Sequence, residues 1–234
     1  MIRIRRRELL AGFALGATTP ARGAEAEAAV QVLLAALPEA LRPPPIHHAI
    51  AEPWGPDPDR HRITAIAAED ERLAVGLVRL VQDGPPLLVA GPASVEALTL
   101  GPFQRPVLWI ERRHPLASRP VVALGVRDSL ANGLHGYASE ALHLFLLDGT
   151  RLRPILACML AASRSVADDR PPPGTVRRWS RQFELLAEGR ADGAVPPPLL
   201  VREPRSGRIV SRHRWRGEGY HPHAFLPRGP VLRL

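Results

Sequence analysis

Ala141-Leu142-His143-Leu144-Phe145-Leu146-Leu147, followed by Asp148-Gly149 and then by Thr150 to Leu160, is the stretch that decides the fold. Two apolar runs flank an Asp-Gly pair. That arrangement is a strong short-range hairpin signal, because a type I′ turn needs positive φ at both central positions and Asp-Gly tolerates it. On the return strand, Leu152, Leu156, Cys158 and Leu160 are expected to share one face, since alternate residues of a strand point the same way.

Working upstream, the same grammar recurs. Val121 to Arg127 and Val107 to Glu111 read as strands. Arg62 to Ala67 and Leu73 to Val81 flank Glu69-Asp70-Glu71, a solvated turn, and Asp83-Gly84 turns the chain into Leu87-Leu88-Val89. Downstream, residues 174–195 read as a strand, with Trp179, Phe183 and Leu185 separated by polar residues, although a helix is also compatible with Val176, Trp179, Phe183 and Leu186. Leu199 to Tyr220 reads as a second hairpin around Arg205-Ser206-Gly207. The three turns Asp83-Gly84, Asp148-Gly149 and Ser206-Gly207 each separate apolar strands. Their flanking residues match poorly, which favours chance over an internal repeat.

Three Pro-Pro-Pro runs, at 43–45, 171–173 and 196–198, break the chain, because proline removes a backbone donor and fixes φ. Ahead of the first run, residues 27–42 carry Val30, Leu33, Leu34, Leu37 and Leu41 at helical spacing, with Pro38 expected to stop or kink the helix. That stripe suits docking against the core.

The N-terminus has the order of an export signal: Arg3, Arg5, Arg6 and Arg7, the apolar stretch Leu9 to Thr19, then Pro20 and small residues. Ala24-Glu25-Ala26 fits the small-x-small cleavage rule, which places a signal peptide over 1–26 and a single mature domain over 27–234. Arg6-Arg7-Glu8-Leu9-Leu10 is similar to a twin-arginine signal, although Ile4 and Arg5 replace the usual hydroxyl residue and no lysine follows. A periplasmic location is the expectation. No later segment is long and apolar enough for a membrane span. The lone cysteine, Cys158, permits no internal disulfide and sits in an apolar run, so it reads as a buried small hydrophobe.

All 31 basic residues are arginine, and the net charge of +8 is uneven. Residues 176–234 hold twelve arginines against five acidic residues, a surplus of seven, whereas 27–175 is slightly acidic. For an exported protein this disfavours nucleic acid as a partner and points to an anionic envelope component or an acidic protein. The basic quarter has a pattern. Arg212, Arg214 and Arg216 are spaced by two, so they line one face of a strand opposite Ser211, His213 and Trp215, and Arg202, Arg205 and Arg208 lie just before them. The planar guanidinium suits phosphate and carboxylate. Arg212, Arg214, Arg216, Arg202 and Arg205 are therefore the candidate anion-binding residues. The alternative is a solvated sheet face whose charges discourage edge pairing.

Several segments resemble a loosely defined group of exported, β-rich bacterial proteins of no known function: Val122-Ala123-Leu124-Gly125-Val126-Arg127, the hairpin from Leu142 to Leu152, and the ending Arg212-His213-Arg214-Trp215-Arg216-Gly217-Glu218-Gly219-Tyr220. The resemblance covers about half of the expected mature chain, mostly 119–160 and 199–220. It implies an exported β-protein and supplies no activity.

Catalytic patterns are not evident. There is no Gly-x-Ser-x-Gly. Ser139 between His135 and Glu140 is the nearest polar cluster. Cys158 has no neighbouring histidine to form a thiolate. Among nine histidines, His47-His48 would diverge on an extended segment, while His221 and His223 could converge with His213 to give three imidazoles. No accompanying metal motif supports such a centre, and no metal or cofactor is expected. Gly91-Pro92-Ala93-Ser94 lacks the lysine of a phosphate loop. The reading is a mainly β protein, an antiparallel sheet forming a sandwich or partial barrel with a short N-terminal helix. Its expected role is binding or structural, in the envelope. The alternative is a periplasmic hydrolase with an unrecognised site.

Overall fold

The computed structural model describes residues 20–39, 45–111, 115–116, 119–132, 135–167, 176–189 and 195–227. The chain begins there with α1 (Pro20–Ala36) and continues as a mainly antiparallel β meander divided into three sheets. The first sheet holds β1 (Ile46–Pro53), β2 (His61–Ala68), β3 (Arg72–Val81) and β4 (Gly84–Glu96) in simple sequence order. The second contains β5 (Val107–Glu111), the short β6 (Pro115–Leu116), β7 (Arg119–Asn132), β8 (His135–Asp148), β9 (Arg151–Ala167) and β10 (Val176–Gln182), in the order β10-β9-β8-β7-β5 with β6 paired to β7. The third is β11 (Glu184–Ala187), β12 (Leu199–Arg202), β13 (Ile209–Arg216) and β14 (Gly219–His221). A two-residue strand, β15 (Ala224–Phe225), returns to β9 in parallel.

The second sheet is the wall between two cores. Val122, Leu124 and Val126 of β7 and Phe145 of β8 pack with Ile63, Leu73 and Val75 of the first sheet. The alternate residues Val121, Ala123, Leu142, Leu144 and Leu146 pack with Leu185, Leu199, Val201 and Tyr220 of the third. A strand buried on both sides has no solvent face to carry polar residues, so it reads as an unbroken apolar run. This is why Leu142 to Leu147 is apolar at nearly every position. The first sheet is covered on its far side by α1: Leu33 and Leu37 meet Ile66 and Ala74. Gly76 lets the helix approach, since a Cβ there would lie 2.8 Å from a methyl of Leu33.

Most of the expected strands form, with differences that have local causes. Both Asp-Gly turns are offset by one residue. Asp148 pairs with Arg151, so the loop is Gly149-Thr150, with Gly149 at φ 58°. That places glycine at the first central position, the requirement of a type II′ turn rather than type I′. Val81 pairs with Gly84, so the other loop is Gln82-Asp83, shifted the opposite way, with the positive φ on Asp83 at its second central position. The return strand does not keep one face inward. The register slips between Leu144↔Leu156 and Phe145↔Pro154, which leaves Ile155 as an extra residue. A bulge of this kind reverses the alternation. Leu152 therefore joins the core shared with the first sheet, while Ile155, Leu156 and Cys158 join the other.

The segment read as one strand over 174–195 is two strands broken at Phe183. Its N–H donates to Leu160 O at 2.7 Å, and its ring is buried against Phe225. There the chain leaves the second sheet and enters the third. The helix, expected over 27–42, runs from Pro20 to Ala36. The alanine- and glutamate-rich start favours helix, and Pro38 restricts the residue before it and removes a donor. The helix therefore includes Ala24 to Ala26, and Glu25 reaches the buried Arg62 at 3.2 Å. Of the proline runs, 171–173 and the first two residues of 43–45 lie outside the described residues, as does Leu41 of the expected stripe. Pro197 O accepts the buried Tyr220 hydroxyl at 2.9 Å.

Candidate binding face

The third sheet buries one face against the central wall and presents the other. On β13, His213 is buried and Trp215 packs toward the core, so Arg212, Arg214 and Arg216 project outward and are exposed. Arg212 stands opposite Leu200 on β12, which puts Arg202 on the same face at the diagonal position. Arg205 is exposed too, but it lies on the turn between β12 and β13. Arg214 is five residues beyond Ile209, or roughly 17 Å further along the strand. The five arginines therefore do not form one cluster.

Their charges are not equally available. Arg202 pairs with Glu184 at 2.7 Å and Arg212 with Glu188 at 2.9 Å. Arg208 and Arg181 both approach Glu203, at 3.5 and 3.8 Å. Arg214 and Arg216 have no described carboxylate as partner, so the net positive potential collects at the β14 end of the stripe. There Arg214 faces His221 and Arg216 faces Gly219 across the β13–β14 ladder.

An open groove of about 460 Å³ begins at that end, lined by Arg153 of β9 together with Arg216, Glu218, His221 and His223. Arg153 Nη1 holds Glu218 at 2.8 Å, while its buried Nε–H has no partner. The rings of His221 and His223 lie 4.1 Å apart. His213 does not join them. Its Nδ1 meets Pro222 O at 2.6 Å inside the fold, and burial lowers its pKa, partly opposed by that carbonyl. Among the described residues no group of three His, Cys, Asp or Glu is placed to hold a metal ion.

The other polar candidates are engaged in holding the connection between the first two sheets. Asp128 is buried and accepts the backbone N–H groups of Gln104 and Arg105 at 3.1 and 2.8 Å. Tyr137 OH contacts Asp128 at 3.1 Å and Pro102 O, and burial with the Asp128 charge pushes its phenol well up. Buried His143 accepts the Leu98 N–H at Nε2, 3.2 Å away, and burial pushes its pKa down to about 4. His48, half-buried, accepts the Leu108 N–H at 3.1 Å, whereas its neighbour His47 is exposed. Ser139 is cross-strand from Asp128 and lies 3.5 Å from Thr99 Oγ1. The cluster expected around Ser139 lies on β8, where Glu140 is held by Arg127 at 2.9 Å and the side chain of His135 lies outside the described residues. The Cys158 thiol is fully buried, which pushes its pKa up and keeps it protonated.

Sequence reading missed these anchors. The available signal was a polar residue inside a run that is apolar on both faces, since such a residue must find a partner. His143, between Leu142 and Leu144, fits that description; Asp128, between Arg127 and Ser129, does not.

No protein-family model, curated protein or solved structure matches the chain. No described helix is long and apolar enough to cross a membrane.

Proposed function

We propose that this is an exported envelope protein that binds an anionic component non-catalytically through the outer face of its third sheet. The observation that carries the reading is the unequal pairing of the arginine stripe. Arg202 and Arg212 are neutralised by glutamates, whereas Arg214 and Arg216 stand exposed without a described acidic partner. A solvated face needs no such imbalance. Positive charge left over at one end provides a directed site for an anion. Export, by the twin-arginine-like leader to the periplasm, rests on the sequence of residues 1–26.

The test is retention of the purified chain on anionic vesicles and on heparin. Retention should fall as salt rises, because exposed charges are screened beyond about 8 Å at physiological ionic strength. Replacing Arg212, Arg214 and Arg216 together by Ser should abolish it and leave the melting temperature nearly unchanged, since exposed positions carry little packing energy. Retention that survives both treatments would refute the reading. For the leader, mass spectrometry of protein from its host should find a start at or near Glu27. An intact Met1 on the functional protein would refute export by cleavage.

A further inference from the structure

We infer that the groove beside the arginine stripe is a phosphate-ester site, in which Arg153, Arg216, His221 and His223 receive a tetrahedral phosphoryl group and Glu218 acts as the internal occupant that the ligand displaces. The inference rests on the proposed anion-binding face and names the chemistry that its charged end would take.

Four observations converge. First, the donors come from separate segments. Arg153 belongs to β9, Arg216 to the end of β13, and the two imidazoles to the strand end and turn after Gly219. A carboxylate is planar and is satisfied by one bidentate guanidinium. A phosphoryl group offers three oxygens pointing apart, so donors spread around a cavity suit it better. Second, the Arg153 Nε–H is buried without a partner, whereas buried donors are as a rule hydrogen-bonded. Third, the rings of His221 and His223 lie 4.1 Å apart and tilted by 55°, and neither ring makes a hydrogen bond among the described residues, which leaves their nitrogens available. Fourth, the one carboxylate in the groove is already on Arg153. Glu218 sits between Gly217, at φ 59°, and Gly219, and its side chain is 84% exposed. A side chain held by one salt bridge at the surface and flanked by glycines is readily displaced. The volume of about 460 Å³ is that of a small-molecule or headgroup site rather than a track for a long polymer.

The experiment is an NMR or calorimetric titration of the full chain with inorganic phosphate and with glycerol phosphate, beside flotation with vesicles containing phosphatidic acid. Saturable binding of the phosphates is expected. Arg216→Gln should weaken it about tenfold, because a charged hydrogen-bonding partner is lost. Glu218→Gln should tighten it, because the competing charge is removed. Opposite signs for these two exposed positions form the signature. Arg153→Gln should also weaken binding, and Arg216→Gln keeps the test decisive should that half-buried change impair folding. Vesicle binding that depends on Glu218 in the same sense assigns the site to a lipid headgroup. Binding of the soluble esters alone assigns it to a free phosphate ester. Either supports the phosphate chemistry. No saturable phosphate binding, or the same sign for Arg216→Gln and Glu218→Gln, overturns the inference. If that happens while salt-sensitive retention still depends on Arg212 and Arg214, the broader anion-binding reading stands without the groove. If phosphate binding shows the signature while vesicle and heparin retention ignore the stripe, the broader reading falls and the groove stands.

Discussion

Acidification from pH 7 to pH 4.5 should weaken the fold through His143, and the structure sets the size of the effect. The imidazole is 3% exposed and uses Nε2 to accept the Leu98 N–H. Protonation would bury a charge and replace that acceptor with a donor facing another donor. Burial accordingly lowers the pKa from the usual 6.5 to about 4. A histidine depressed in the native state is protonated first in the unfolded chain. Its contribution is therefore present above pH 6.5 and is lost as pH falls toward 4. Each pH unit in that window is worth about 1.4 kcal/mol, so the whole window is worth about 3 kcal/mol. Against a typical domain stability of roughly 5–15 kcal/mol this is a large share. The assay is urea unfolding at half-unit steps from pH 7 to 4.5, comparing the wild type with His143→Gln. The variant keeps an acceptor but does not titrate. Other groups act in both proteins, including His48 and His213, whose pKa values are also lowered by burial. The difference between the two curves therefore isolates His143: the wild type should lose stability relative to the variant by about 1.4 kcal/mol per unit below pH 6. Parallel curves would refute the reasoning.

Two further outcomes follow from the packing. At Gly125 a Cβ would fall 1.9 Å from Trp109, whose ring lies across the glycine from the neighbouring strand, so Gly125→Val should expel that ring and cost about 1–3 kcal/mol, seen as a red shift of tryptophan fluorescence together with a lower urea midpoint. Cys158 is fully buried with its thiol held protonated, so iodoacetamide should leave the native protein unmodified at pH 8 and label it fully in urea. Rapid labelling of native protein would place the thiol elsewhere.

The strands were legible in the sequence because alternation and turn residues are local properties. The hairpin of β8 and β9, the boundaries of β5 and the strands on either side of Glu69-Asp70-Glu71 needed nothing else. The layering was not legible. An unbroken apolar run says that a strand is covered on both faces, and Leu142 to Leu147 said so, but which meander covers which face depends on long-range packing. Nor was the reversal at Ile155 visible, because a bulge is fixed by the register of the partner strand. For the candidate site, the outward direction of Arg212, Arg214 and Arg216 followed from their spacing. The neutralisation of Arg202 and Arg212 did not, since Glu184 opens β11 and Glu188 follows its end, 18 and 24 residues away from their partners. The groove was hidden for the same reason: Arg153 is far in sequence from Arg216, His221 and His223.

The central sheet has a consequence for how the molecule comes apart. Because one set of strands closes two interiors, removal of either outer sheet would wet one side of β7, β8 and β9 and loosen the interior on the opposite side. The two halves then have no independent melting. A protease that cuts the exposed turn between β12 and β13 in the native protein should yield pieces that stay associated, and separating them should unfold both together.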